Sequence, residues 1–502
     1  MQNNPPSGTP PSGAPGGDSS VNISRSGAME IATDTSLANG TYSSEIGGEN
    51  ALLVTNGTVS LDSPTITKSG DESSESSDFY GTNAAVLVSG GTLNISGGSV
   101  STNGSHANGV FAYSSGIVSL EEVSITTDGN NSGGIMVTGG GTLSAKALTV
   151  STKGNSSAAI RSDRGGGTMT IEGGSFLTNG TGSPAIYSTA NISVKDAELT
   201  ATASEGVVIE GSNSVLLDGV TLVDTNNTLN GNSETYKNIF IYQSMSGDAE
   251  EGTGTLSAKN SSITTNQGDT FFITNTTANI SLENNLFLNN DASSAFLRAE
   301  AGKWGTSGTN GGIVTLSATN QVIEGDIILD NLSSLTMSLT SSYYMGIING
   351  ANSARSVSVT LDKDSNLILA GDTYLSSLTN ADSSNMNIYA NGFSLYVAGS
   401  EVEVNGSKAP EVPEVALEST ETETVEAVTI EDASGEKETN LVPFIVGGAA
   451  LVVIIIAVVA LVLHGKKKNA GPGPDSDSLN FPPETTSLPP VSPDGSAGPN
   501  MV

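Results

Sequence analysis

Residues able to do chemistry on a ligand are few in this chain, because cations are scarce. Lys and Arg number 18 against 52 Asp and Glu, for a net charge of −34. The densest local group is Arg161, Asp163 and Arg164, followed by three glycines (RSDRGGG). In that setting Arg161 or Arg164 would act as the base of a polysaccharide lyase or clamp the carboxylate of an acidic sugar. The plainer alternative is an ion pair at a surface turn, which contributes little. Of the functional roles, binding is expected ahead of catalysis. Sugar hydrolysis needs paired carboxylates, but no paired-Asp or His-Gly motif is present. The two histidines are His106, in an expected turn, and His464, near the C-terminus. Cysteine is absent, which excludes thiol nucleophiles, Cys-ligated metals and disulfides. No cofactor and no metal site are expected. Structural calcium in the acidic stretch 71–78 is the alternative, with no specific motif behind it.

These side chains must be positioned by a repeat. A short apolar segment recurs at 50 (NALLVT), 83 (NAAVLV), 108 (NGVFAY), 133 (GGIMVT), 158 (AAIRSD), 184 (PAIYST) and 205 (EGVVIE). The steps are 33, 25, 25, 25, 26 and 21 residues, and the longest contains the acidic insert 71–80. Two further alternating segments follow each copy, such as GTLNI at 91. Three short strands and three turns per repeat describe one coil of a parallel β-helix, which buries its inner face only by stacking on its neighbours. Alternation predicts inward pairs Leu52/Val54, Ala85/Leu87, Val110/Ala112, Ile135/Val137, Ile160/Ser162, Ile186/Ser188, Val207/Ile209, Ile239/Ile241, Phe271/Ile273 and Ala295/Leu297.

The opposite, outward column then reads Leu53, Val86, Phe111, Met136, Arg161, Tyr187, Val208, Phe240, Phe272 and Phe296, with Tyr113 and Tyr242 one outward step on. A solvated face should carry Ser, Thr, Asn and Asp, so an apolar and aromatic stripe needs a cover or a ligand. The cover would be the chain's own loops, 71–80 or the 302–312 loop that holds Trp304. As a ligand face, the stripe would bind through Phe111, Tyr113, Arg161, Tyr187, Phe240, Tyr242, Phe272 and Phe296. The next column has acids only at Asp163 and Glu210, two coils or roughly 9–10 Å apart, too far to share one ion.

Along the chain, residues 1–20 read as a Pro/Gly/Ser leader and 21–49 as an N-terminal cap. Residues 50–400 form the solenoid, roughly fourteen coils and about 65–70 Å long. Residues 401–440, with twelve acids, read as an extended stalk. The uncharged 23-residue run 441–463 is long enough to cross a bilayer. Three lysines at 466–468 place the C-terminus in the cytoplasm and the solenoid outside. Residues 464–502 read as a disordered tail, whose prolines offer a weak ligand motif for a cytoplasmic partner. The first twenty residues contain no apolar run of signal type, so export is expected to rely on a leader upstream. The acidic surface argues against nucleic acid as a partner.

The stretches GGTLNI at 90, GGTLSA at 140, GGTMTI at 166 and GGIVTL at 311 resemble membrane-anchored, adhesin-like, right-handed parallel β-helix proteins of bacterial surfaces. That resemblance covers about residues 45–400. It implies an all-β solenoid with a single C-terminal transmembrane helix, displayed at the cell membrane. The implied partner is a glycan, a host surface or a neighbouring cell. The same solenoid architecture hosts lyases and glycoside hydrolases, so an enzyme is the alternative expectation and a passive structural surface protein the third.

Overall fold

The computed structural model describes residues 23–73, 75–229 and 235–417. They form an all-β parallel solenoid of about 15 turns, with one helix of six residues, Glu75–Tyr80. The first strands of the coils stack into a 12-stranded parallel sheet running from Gly27–Ile31 to Ile327–Leu329. The second and third strands stack into a 22-stranded sheet over the other two faces. Strands Gly141–Thr152 and Gly167–Thr178 run through the corner between those faces and join them.

One continuous apolar core fills the rod. Its columns come from alternate residues of every strand, such as Leu93/Ile95, Val118/Leu120 and Leu143/Ala145 in successive coils. Turns stack as regularly as strands. The Oγ1 atoms of Thr102, Thr127 and Thr152 each donate to a carbonyl five residues on, at 2.5–2.7 Å. The amides of Ala107, Ser132 and Ser157 donate to the hydroxyls of Ser132, Ser157 and Ser183, each at 2.9 Å. This ladder satisfies buried polar groups coil by coil, which a narrow interior requires. Gly104, Gly129, Gly154 and Gly180 stack so closely that a Cβ at any of the last three would strike the preceding glycine's carbonyl, within 1.8–1.9 Å.

Three expectations change. Residues 27–44 are not a cap but a complete first coil, whose three strands pair in parallel with the next. The inward pair of the second apolar segment is Val86/Val88, because Leu52 registers with Val86 and Val54 with Val88. Leu87 therefore points outward and Ala85 precedes the strand. Near 295, Phe271 registers with Leu297 and Ile273 with Ala299. Arg298, not Phe296, thus continues the outward column.

At the C-terminal end, Leu395–Val397 and Ser400–Val402 pair antiparallel, the one antiparallel pairing among the described residues. Such a hairpin ends the parallel stacking and closes an edge that would otherwise template another strand. Beyond it the chain turns back along the rod: Asn284 Nδ2 donates to the Ala416 carbonyl, and residues 413–415 line a groove with Asn320 and Tyr343. The acidic stretch thus begins packed on the solenoid rather than extended from residue 401. No helix among the described residues is long and apolar enough to cross a membrane. The expected leader 1–20, the run 441–463 and the tail 464–502 lie outside the described residues.

Candidate functional site

The outward column of the 12-stranded sheet is covered by the chain itself at both ends, leaving a cleft between the covers. Toward the N-terminus, Leu53, Ala84, Leu87, Phe111 and Met136 form a buried cluster with Tyr113 against it. The 71–80 insert lies over this cluster. Its Tyr80 ring meets Tyr113 edge-on at 5.7 Å, and the Phe79 carbonyl accepts from Thr138 Oγ1 at 2.7 Å. His106 Nδ1 holds Asp78 at 2.9 Å and fixes the helix. Toward the C-terminus, Val208, Phe240, Tyr242 and Phe272 form a second cluster, with Tyr187 and Trp304 against it. Here the cover is the 243–250 loop and the Trp304 loop.

Arg161 stands between the two clusters on the floor of a cleft of about 400 Å³. Tyr187, Val208, Phe240 and Tyr242 continue the floor, and Asp78, Phe79, Asp163, Glu205, Glu210, Ser244, Asp248 and Trp304 line it further. The aromatic side is ordered. Phe240 and Tyr242 stack at 4.3 Å and 13°, and Trp304 tilts against Tyr242 at 5.4 Å. Lys237 Nζ lies 4.6 Å from the Phe240 ring centroid and 3.4 Å from Glu205.

The cleft's charges are arranged in specific pairs. Arg161 donates to Asp163 at 3.2 Å and to the Ser156 carbonyl at 3.4 Å. Arg164 donates to Asp248 at 2.5 Å while its guanidinium covers the Phe79 ring at 3.8 Å. Arg164 therefore links the two covers. Glu210, 1 % exposed, accepts from Tyr187 at 2.5 Å, from Tyr242 at 3.0 Å and from Ser244. Burial pushes the Asp163 carboxyl up to about 7, against the pull of Arg161. Burial also raises Glu210, opposed by the hydroxyls of Ser244, Tyr187 and Tyr242. Both arginines face carboxylates, and Arg161 is held above its ordinary value. That commitment suits neither a free base nor an open clamp for an acidic sugar.

The structure thus brings Arg161, Asp163, Tyr187, Phe240 and Tyr242 to one cleft, sets Arg164 behind its wall on Asp248 and Phe79, and separates the other expected residues from it. Phe111 is fully buried beneath the insert. Tyr113 packs between Tyr80 and the Arg25 guanidinium, 4.7 Å from its ring centroid. Phe272 supports Phe240 from behind at 5.8 Å. Phe296 is a core residue, edge-on to Phe271 at 5.2 Å and to Phe287 at 5.3 Å. Glu210, Ser244, Asp248 and Trp304 complete the cleft and were not expected there as ligand residues. Their traces in the sequence are Arg161, a charge that interrupts an apolar stretch of the column, and the Trp304 loop, an expected cover of that stripe. Among the described residues no three His, Cys, Asp or Glu gather to hold a metal ion. Comparison of the chain with protein families, curated proteins and solved structures finds no match.

Proposed function

We propose that this chain is a surface-displayed, right-handed β-helix that binds a glycan in the cleft centred on Arg161, Glu210 and Tyr242. The observation that carries this reading is an aromatic floor flanked by hydrogen-bonding carboxylates and hydroxyls. Sugar rings present apolar C–H faces and a rim of hydroxyls, and that combination of stacking and polar contacts suits them. Display at a membrane rests on the sequence alone: the run 441–463 as single-pass anchor, the lysines after it on the cytoplasmic side and the acidic segment before it as spacer. The host surface or neighbouring cell that bears the glycan would be the partner, and the proline-containing tail would face the cytoplasm.

A glycan array probed with the full chain tests the binding, with hits repeated in solution by fluorescence of Trp304, the sole tryptophan. Binding that alters Trp304 emission supports the cleft. Binding without any change in emission removes it, and an array with no hits favours a passive structural role.

Glycoside hydrolysis is the second reading, and the observation favouring it is the pair Asp163 and Glu210. Burial raises Asp163 to about 7, the direction a general acid needs, while Glu210 sits in a nest of hydroxyl donors two coils away. Two coils set their backbones roughly 9–10 Å apart, and inversion requires carboxyl groups about 6.5–9.5 Å apart with a water between them. New reducing ends appearing from a bound glycan, and lost in Asp163→Asn, would establish this reading over simple binding.

A further inference from the structure

Resting on the glycan reading above, we propose that the cleft selects a glycan with free amino groups, an amino sugar whose ammonium sits against Glu210 and the ring faces of Tyr242 and Trp304. The argument is one of charge pairing. Arg161 serves Asp163, Arg164 serves Asp248, His106 holds Asp78, and Lys237 faces Glu205. Glu210 differs from all of these. Its polar contacts are three hydroxyls, from Tyr187, Tyr242 and Ser244, and no cation is among them.

Three hydroxyl donors turned toward one carboxylate favour its charged form, yet the carboxylate is 1 % exposed and lacks the compensation that water would give. An ammonium group brought in by a ligand supplies the missing countercharge. Tyr242, whose hydroxyl donates to Glu210, stacks on Phe240, and the Trp304 ring lies 5.4 Å from it, so an aromatic group adjoins the carboxylate. Carboxylate and ring faces together attract an organic cation, through ion pairing and through the ring quadrupole. A uronic acid would bring its own carboxylate against Glu210, with both arginines already committed. Like charges at that range repel, so an acidic glycan is the class the cleft disfavours.

The test compares three oligomers of equal length on the full chain, read by Trp304 fluorescence: hexaglucosamine, its fully N-acetylated form and hexagalacturonate. A lysine hexapeptide is the fourth probe, because it offers the same ammonium from a different source. Expected is at least tenfold tighter binding of hexaglucosamine than of the acetylated form, no saturable binding of hexagalacturonate and weaker binding of the peptide. In Glu210→Gln the preference for free amines should collapse to near unity while the far-ultraviolet circular dichroism is unchanged. Should Glu210→Gln fail to fold, the ratio in the natural chain decides alone. Equal binding of the acetylated and free forms, or preference for the galacturonate, overturns the ammonium assignment and leaves glycan binding standing. Peptide binding as tight as hexaglucosamine overturns the sugar as the source of the amine. Absence of binding by all four probes overturns this inference, and the glycan array decides separately whether the glycan reading falls with it.

Discussion

Arg164 and Asp248 meet at 2.5 Å although 84 residues of chain separate them. The same guanidinium covers Phe79 of the 71–80 insert, so one side chain ties together the two loops that frame the cleft. The pair is partly solvated, with the Arg164 side chain 40 % exposed, so its worth to global stability is small, about 0–1 kcal/mol. Its effect should be local. Arg164→Ala is expected to leave the melting temperature nearly unchanged and to speed limited proteolysis within 71–80 and 243–250. Unchanged cleavage at both loops would show that they are held without it.

Asp163 makes a pH prediction whose sign is fixed by which force wins. Its carboxyl is raised to about 7 in the folded chain from an ordinary value of about 4. Between those values the folded state binds a proton that the unfolded state has released. Stability is therefore fully present below about pH 4, falls as pH rises toward 7 and is level above it. Asp163→Asn mimics the protonated form, so it should match the natural chain near pH 4. At pH 8 it should exceed it by on the order of 2–4 kcal/mol in urea unfolding. Glu210 and Asp224 are shifted in the same direction, which is why the difference between the two chains is the quantity to measure. A natural chain more stable than Asp163→Asn at pH 8 would mean that the Arg161 ion pair outweighs burial.

The solenoid was legible in the sequence because its core repeats. Residues such as Val110, Ile135 and Ile160 recur at 25-residue steps and stack in register. Register slipped where neighbouring positions were equally apolar. Ala85/Leu87 and Val86/Val88 satisfy alternation alike, and only pairing of Val86 with Leu52 decides between them. Phe296 misled for the same reason, since Ala295, Phe296 and Leu297 are all apolar. The cleft was half legible. Arg161 and Tyr187 lie on neighbouring strands of the repeat, but Asp248 and Trp304 arrive on loops whose paths no periodicity encodes. The apolar stripe did call for a cover with 71–80 as one candidate, and 71–80 folds down over Phe111.

Phe240 shows why the cleft cannot be probed by simple removal of its rings. It is 9 % exposed, stacked on Tyr242, tilted against Phe272 and covered by Lys237. Phe240→Ser should cost on the order of 2–5 kcal/mol, as other large-to-small changes in packed surroundings do. Lost binding in that variant would report unfolding as readily as lost contact. Tyr242→Phe is the cleaner probe: it removes one donor to Glu210 and keeps the stack. It should lower glycan affinity several-fold while moving stability by about 0.5–1.5 kcal/mol. Full affinity in Tyr242→Phe would place the ligand away from Glu210.

Ala147 tests the turn logic of the rod, independently of any ligand. It occupies a left-handed turn position with φ of 52°. The residues registered with that position in successive coils are Glu122, Gly173, Asp196 and Gly219, all at positive φ. A Cβ in this conformation costs roughly 1–2 kcal/mol, and glycine avoids that cost at the expense of greater freedom when unfolded. The strain term is the larger of the two, so Ala147→Gly should stabilise the chain by about 0.5–1 kcal/mol despite replacing alanine within the strand Gly141–Thr152. Ala145→Gly, two residues away with its side chain directed into the core, should do the opposite, because there the methyl is buried and the backbone is extended. Thermal unfolding of the two variants side by side gives shifts of opposite sign if the turn is strained as drawn. Shifts of the same sign would mean that the left-handed position at 147 carries no strain that glycine relieves.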